Sequence, residues 1–150
     1  MSYLNLKSTK GVEIVDLDDT NEKYYLWDFG GQASYREKYL IDLKRYLLDT
    51  EKIVYVLDVQ DQKRYDLAIE YLENILKIAK EAGVTIDLTI FFHKCDHKLI
   101  SENPSFSEEA LKKLAEKVIK IIPKTVHYTI FKTSIYTVFE KIFFMEKPNK

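Results

Sequence analysis

The chain has 150 residues, enough for one domain built on a single core and too few for two. It is 46% hydrophobic and 31% charged, with four Gly and three Pro, which excludes a disordered chain. A net charge of −1 gives no basic footprint for nucleic acid, and no apolar run approaches the length of a transmembrane helix.

The single cysteine, Cys95, excludes an intramolecular disulfide framework and fits a reducing compartment. Residues 1–10 lack the apolar core of a signal peptide. No Met-Gly start invites myristoylation, and no C-terminal Cys invites a prenyl group. The expected location is cytoplasmic, with any membrane association arising through partners. No linker or repeat divides the chain, so residues 1–150 are read as one domain.

Val12–Leu17 alternates weakly and reads as an exposed strand; after the turn cluster Asp18-Asp19-Thr20-Asn21 a hairpin returns through Lys23–Trp27. Ser34–Leu48 is mixed, with helix expected in its second half. Lys52–Leu57 is a dense β-branched and aromatic run, expected to be a strand buried on both faces. From Gln62 to Ala82, Tyr65, Ala68, Leu72, Ile75 and Ala79 recur at helical spacing, and Gly83 supplies the stop. Ile86–Phe92 reads as another buried strand. Ser105 and Glu108 suggest a capping box for a helix running to about Ile121, closed by Pro123. Val126–Phe131 is a last strand and Val138–Met145 a short last helix.

Strands alternating with helices imply βαβ crossovers: a three-layer α/β sandwich, mostly parallel, with one antiparallel hairpin at its edge. In such sheets ligands sit beyond the carboxyl ends of the strands. The loops at 28–33, 58–62, 93–98 and 132–136 are therefore where chemistry belongs.

After the second strand comes Trp27-Asp28-Phe29-Gly30-Gly31-Gln32. A strand-end Asp can hold Mg²⁺ through water, paired glycines let the backbone approach an anion, and a Gln can orient an attacking water without ionising. Alone, the motif fits a Gly-Gly turn with a capping Asp equally well. His93-Lys94-Cys95-Asp96 follows Phe92. The Asp96 carboxylate can accept both the ring N–H and the amino group of guanine, a donor pair adenine lacks, while the Lys94 stem can lie over the base. After the last strand, Lys132-Thr133-Ser134-Ile135 offers a backbone N–H at Ile135 for the guanine carbonyl and Ser134 to brace the loop.

In this order, at these strand ends, the set resembles the small GTPases. Trp-Asp-x-Gly-Gly-Gln is similar to the Arf and Rag/Gtr families, and His before Lys-x-Asp with the Thr-Ser-Ile ending leans towards Rag/Gtr. The resemblance spans roughly Ser8 to Met145. It implies a Ras-like fold and a GTP-binding switch. By the same resemblance Thr9 would close on Mg²⁺ and the γ-phosphate, Asp28 would be the outer Mg²⁺ carboxylate, and Gly31 would donate to the γ-phosphate. Gln32 would position the hydrolytic water, Lys94 and Asp96 would read guanine, His93 would tie the loops together, and Ser134 with Ile135 would complete the base pocket. The implied ligands are GTP or GDP with Mg²⁺, and the implied partners are protein effectors or regulators.

The sequence contains no Gly-x-x-x-x-Gly-Lys-Ser/Thr phosphate loop, and only eight residues precede Thr9. The expected fold is thus Ras-like without its first strand, phosphate loop and first helix. Two function readings follow: a GTPase active only if a phosphate loop is supplied from elsewhere, or a pseudo-GTPase acting as a nucleotide-independent interaction or assembly module. A missing middle strand leaves two strand edges needing partners. The Trp27 strand can pair with the Ile53 strand, Tyr3–Leu6 can insert, or two copies can exchange strands; the last is favoured.

Other features have plainer readings. The 11 Tyr and 8 Phe fall mostly at core spacing and not as a base-stacking platform. His93, Cys95 and His97 on one loop make a poor zinc site. Cys95 is expected to pack against the sheet end, and Asp58 and Asp61 to cap a helix. Phe139, Phe143, Phe144 and Met145 exceed one core face and suggest a partner surface.

Overall fold

The computed structural model describes residues 11–19, 22–29, 31–48, 50–96, 103–135 and 138–142. Thr9, Gly30, His97, Phe143, Phe144 and Met145 lie outside the described residues, as does the Tyr3–Leu6 segment. The chain divides into two compact units, one running to Leu43 and the other starting at Lys44.

In the first unit, β1 (Val12–Asp19) pairs antiparallel with β2 (Glu22–Phe29), in register from Val12↔Phe29 to Asp19↔Glu22. This is the expected hairpin, longer at both strands and forming a sheet of its own. Helix α1 (Ala33–Leu47) follows, its last turn belonging to the second unit, and is helical throughout, not only in its second half. Tyr39, Leu43 and Leu47, spaced one turn apart, are all buried. Lys44 and Arg45 in its last turn complement the helix dipole. The Phe29 and Tyr39 rings meet edge to face at 5.1 Å.

The second unit is a four-stranded sheet in the order β3-β4-β5-β6. Strands β3 (Lys52–Asp58), β4 (Asp87–His93) and β5 (His127–Thr133) run parallel. They are joined by helices α2 (Tyr65–Glu81) and α3 (Glu108–Ile121), each preceded by a 3-10 turn. The core lies between the helices and one face of the sheet: Leu57, Leu88, Ile90, Phe92 and Ile130 from the strands, Leu72, Leu76 and Ala79 from α2, Leu111, Ala115 and Val118 from α3. Tyr55 Oη donates to the Ala68 carbonyl at 2.7 Å, fixing α2 on β3, and Lys117 reaches Asp66 at 3.3 Å to join α3 to α2.

Helix α2 stops as its sequence demands. Gly83 takes φ +70°, Gly83 N donates to Lys80 O, and Val84 N reaches back to Ala79 O. Helix α3 starts differently from the expected capping box. Ser107 is the N-cap, its hydroxyl accepting from Ala110 N at 3.3 Å, while Ser105 sits inside the 3-10 turn Pro104–Phe106. Asn103 opens that turn by accepting from Ser105 N. Pro104 is the first residue of that turn, and the α-helix begins after it, at Glu108 behind its own cap Ser107.

Two further expectations are corrected. β3 is not buried on both faces, because Val54 and Val56 are 47% and 56% exposed. Residues 138–142 are not helical: β6 (Val138–Ile142) pairs antiparallel with β5, from Ile130↔Ile142 to Thr133↔Val138, past an irregularity at Lys132/Thr133. Five residues satisfy either period, and the edge of β5 offers a ladder that decides between them. The partner surface expected on a last helix therefore loses its helix at Phe139.

Candidate functional site

Three loops at the carboxyl ends of β3, β4 and β5 are tied into one cluster by backbone bonds. Val59 N donates to His93 O at 3.0 Å, linking the first loop to the second. Cys95 N donates to Thr133 O at 2.9 Å, linking the second to the third. His93 Nδ1 shares a 3.0 Å hydrogen bond with Thr133 Oγ1, so the imidazole braces the same junction. This network brings His93, Lys94 and Asp96 to the loop that carries Ser134 and Ile135. Asp96 and Ser134 are half-buried and Ile135 is exposed, leaving these groups accessible at the rim.

Lys94 has φ +65°, a left-handed conformation unusual for a residue with a Cβ. The reason is local: one residue later the chain must turn back so that Cys95 N can reach Thr133 O. The thiol follows inward, fully buried, with Sγ donating to the Phe92 carbonyl at 3.2 Å. Burial pushes this thiol up to about 11. It is the packed, unreactive cysteine the sequence suggests.

The Lys94 ammonium is held by Asp58, with Nζ 2.7 Å from Oδ2. Asp58 Oδ1 also accepts from Gln60 N, and the Gln60 side chain donates to Lys94 O at 3.3 Å. Asp58 thus links two loops and is not a helix cap. Asp61 makes no cap bond either; it pairs with Arg64. Beneath them Tyr65 donates its hydroxyl to Val59 O, and burial, with the nearby Asp58 charge, raises that phenol to about 12.

Lys132 was invisible in the sequence as a structural residue. It is 6% exposed, and its ammonium lies 3.0 Å from both carboxylate oxygens of Glu108 at the start of α3. This pair anchors the strand end just before Ser134. Thr133 stands in the sequence only as part of the Lys132–Ile135 motif, and Asp58 reads there as a helix cap and not as the acid that holds Lys94.

In the first unit Asp28, Gly31 and Gln32 occupy the end of β2 and the approach to α1, all exposed. Asp28 lies opposite Glu13 in the hairpin register. Gly31 O accepts from Arg36 Nε at 3.1 Å and Gln32 O from Tyr35 N at 3.0 Å. Thr9, the remaining expected Mg²⁺ residue, lies outside the described residues. No group of three His, Cys, Asp or Glu among the described residues could cage a metal. A Mg²⁺ here would depend mainly on phosphate oxygens and water, the arrangement this ion favours. Asp96, Ser134 and Ile135 are accessible and Asp28 is an exposed carboxylate, the donor chemistry these roles need, while the sequence offers no phosphate-loop lysine for a triphosphate.

Residues 2–143 match the family described as the Gtr1/RagA G protein conserved region. ADP-ribosylation factor 1 of Brassica rapa subsp. pekinensis is 31% identical over 88 residues, covering 59% of this chain and 45% of that protein. ADP-ribosylation factor-like protein 3 of Chlamydomonas reinhardtii is 32% identical over 88 residues, covering 59% and 46%. The chain thus spans less than half the length of these curated relatives. The Arl6 BBS3 small GTPase from Trypanosoma brucei, solved with the nucleotide analogue GppNp, shares the fold. Its TM-score is 0.64 at 14% identity, covering 89% of this chain and 74% of that one.

Proposed function

The chain belongs to the Gtr1/RagA G-protein family, and on that premise we propose that it is a guanine-nucleotide-binding switch domain whose phosphate grip comes from outside these 150 residues. The observation that carries this reading is the junction at Thr133, where His93 Nδ1 and Cys95 N meet the strand that leads into Ser134 and Ile135. In this reading Asp96 accepts the two guanine donors, the Lys94 stem covers the base, and Ile135 N–H meets the guanine carbonyl. Thr9 and, through water, Asp28 would hold Mg²⁺. Gly31 N–H faces the terminal phosphate and Gln32 orients the attacking water. Bound Mg²⁺ would offset the charge of the phosphates. The domain acts in the cytoplasm and signals through a protein effector or regulator. Hydrolysis to GDP requires a phosphate loop supplied by a preceding segment or a second chain.

NMR titration of the chain with GTP and with ATP, each with Mg²⁺ at high ligand concentration, tests the base assignment. GTP is expected to shift the amides of 93–96 and 134–135 more than ATP does. Asp96→Asn is expected to remove that difference, because an unpaired carboxylate is what penalises adenine. Equal responses to the two nucleotides in the unaltered chain would overturn the reading. A nucleotide-independent assembly module is the second reading, favoured by the exposed Val54 and Val56 on β3.

A further inference from the structure

Asp58 is the last residue of β3, and the parallel register sets it beside His93, the last residue of β4. A carboxylate that closes one strand thereby stands next to the segment that begins with Lys94. The loop after Asp58 is fixed to this junction on both sides: Val59 N donates to His93 O at 3.0 Å, and Val59 O accepts from the Tyr65 hydroxyl. Gln60 N donates to Asp58 Oδ1 at 2.9 Å, which sets the orientation of the carboxylate, while Oδ2 accepts from the Lys94 ammonium at 2.7 Å.

The same lysine is held at its root. Lys94 has φ +65°, a conformation that persists only where the surroundings impose it. Here His93 O, Lys94 O and Cys95 N are each engaged, by Val59 N, by the Gln60 side chain at 3.3 Å and by Thr133 O at 2.9 Å. The Lys94 stem therefore runs between a fixed Cα and an ammonium tied to Asp58. A lysine stem free at its tip samples many rotamers and loses them when a ligand packs against it; one tied at both ends has lost them already. Both partners of the ion pair are partly exposed, so its contribution to stability is small and its effect is geometric. We propose that Asp58 is a positioning residue for base recognition, tethering the Lys94 ammonium so that the stem is ordered before a purine ring packs against it. This rests on the base-binding reading given above. Asp58 touches no ligand in this arrangement and acts only through Lys94. A stem packed on a ring face does not tell guanine from adenine, whereas the donor pair assigned to Asp96 does. The tether thus sets how tightly either purine nucleotide binds, and Asp96 sets which one is preferred.

Full NMR titration curves with GTP and with ATP, each with Mg²⁺, test the tether in Asp58→Asn. That change keeps an oxygen for Gln60 N and removes the charge that holds Lys94. It is expected to raise both dissociation constants by about fivefold, the cost of ordering one long side chain on binding, and to leave their ratio unchanged. In a Lys94→Ala chain, which has no stem to tether, Asp58→Asn is expected to change nothing further. Weakening of the same size in that chain would show that Asp58 only braces the loop. Tighter binding in Asp58→Asn would show that its charge repels phosphate, and an altered ratio would make it a base-reading group. Each of these outcomes overturns the proposal, as does unchanged binding. A ligand-free measurement separates the tether from the reading beneath it. Carbon relaxation at the Lys94 ε-methylene is expected to report an ordered side chain in the unaltered chain and a mobile one in Asp58→Asn. Equal mobility in the two overturns the tether itself, whatever the nucleotides do. An ordered side chain that Asp58→Asn loosens, in a chain that treats GTP and ATP alike, instead overturns the base-binding reading, and the role of the tether in recognition falls with it.

Discussion

Lys132 carries a charge into a place where a methylene chain would suit the surroundings better. Its stem is buried at the end of β5, and its ammonium meets both oxygens of Glu108 at 3.0 Å. Glu108 itself is two-thirds exposed, so the pair is partly screened and its worth sits nearer a surface bridge than a buried one. Removing the acid is the harsher change, because it leaves the buried ammonium facing a weaker acceptor. Glu108→Gln is expected to lower unfolding stability by about 1 kcal/mol, read as a shift of the urea midpoint. Lys132→Met keeps the stem volume, discards the charge and is expected to cost less. A larger loss in Lys132→Met would show that the ammonium, not the stem, is what the site needs. In the sequence Lys132 is only the first letter of a loop motif. Its role depends on Glu108, 24 residues earlier and on another element, and no local pattern records that distance.

At the scale of elements, legibility followed length and periodicity. Helix α2 was plain because five apolar residues hold one stripe over four turns and a glycine ends it. The parallel strands were plain because β-branched runs stand between helices. Short segments were not. Residues 138–142 fit a helix or a strand equally, and the β5 edge settled the matter through contacts distant in sequence. The start of α3 moved from Ser105 to Ser107 because Pro104 began a separate 3-10 turn. The stop of α2 is the element-scale feature that a mutation can measure cleanly. Gly83 has φ +70° and nothing within 4 Å of where a Cβ would stand, so a substitution meets no clash and only backbone strain. Gly83→Ala is expected to destabilise the chain by about 1 kcal/mol, and Gly83→Asn by less, since Asn tolerates the left-handed region. Chemical denaturation checks the order; equal losses would mean that the cap bonds to Ala79 and Lys80 reform in another conformation.

For the whole molecule, the proposed reading assigns different parts of nucleotide binding to different residues. The residues proposed to read the base belong to the second unit, on a junction braced by backbone bonds and by Asp58. The residues proposed for the switch belong to the first unit: Asp28, Gly31 and Gln32 are exposed at the end of the hairpin and just after it. Base contacts choose between guanine and adenine, but most affinity for a nucleoside diphosphate comes from charge-assisted bonds to phosphate. In P-loop GTPases those come from a glycine-rich nest and its lysine, a sequence these 150 residues do not contain. Lys94 does not replace it, since its ammonium is engaged by Asp58 at 2.7 Å. Selectivity and affinity should therefore separate. The chain alone is expected to prefer guanine yet bind GDP weakly, and fluorescent GDP titrated with Mg²⁺ reads this directly. Added phosphate-loop segment, supplied as a longer chain or a second polypeptide, is expected to tighten binding by orders of magnitude while leaving the guanine preference with Asp96. A submicromolar dissociation constant for the 150-residue chain alone would mean that some other part of it grips phosphate, and would overturn this division of labour.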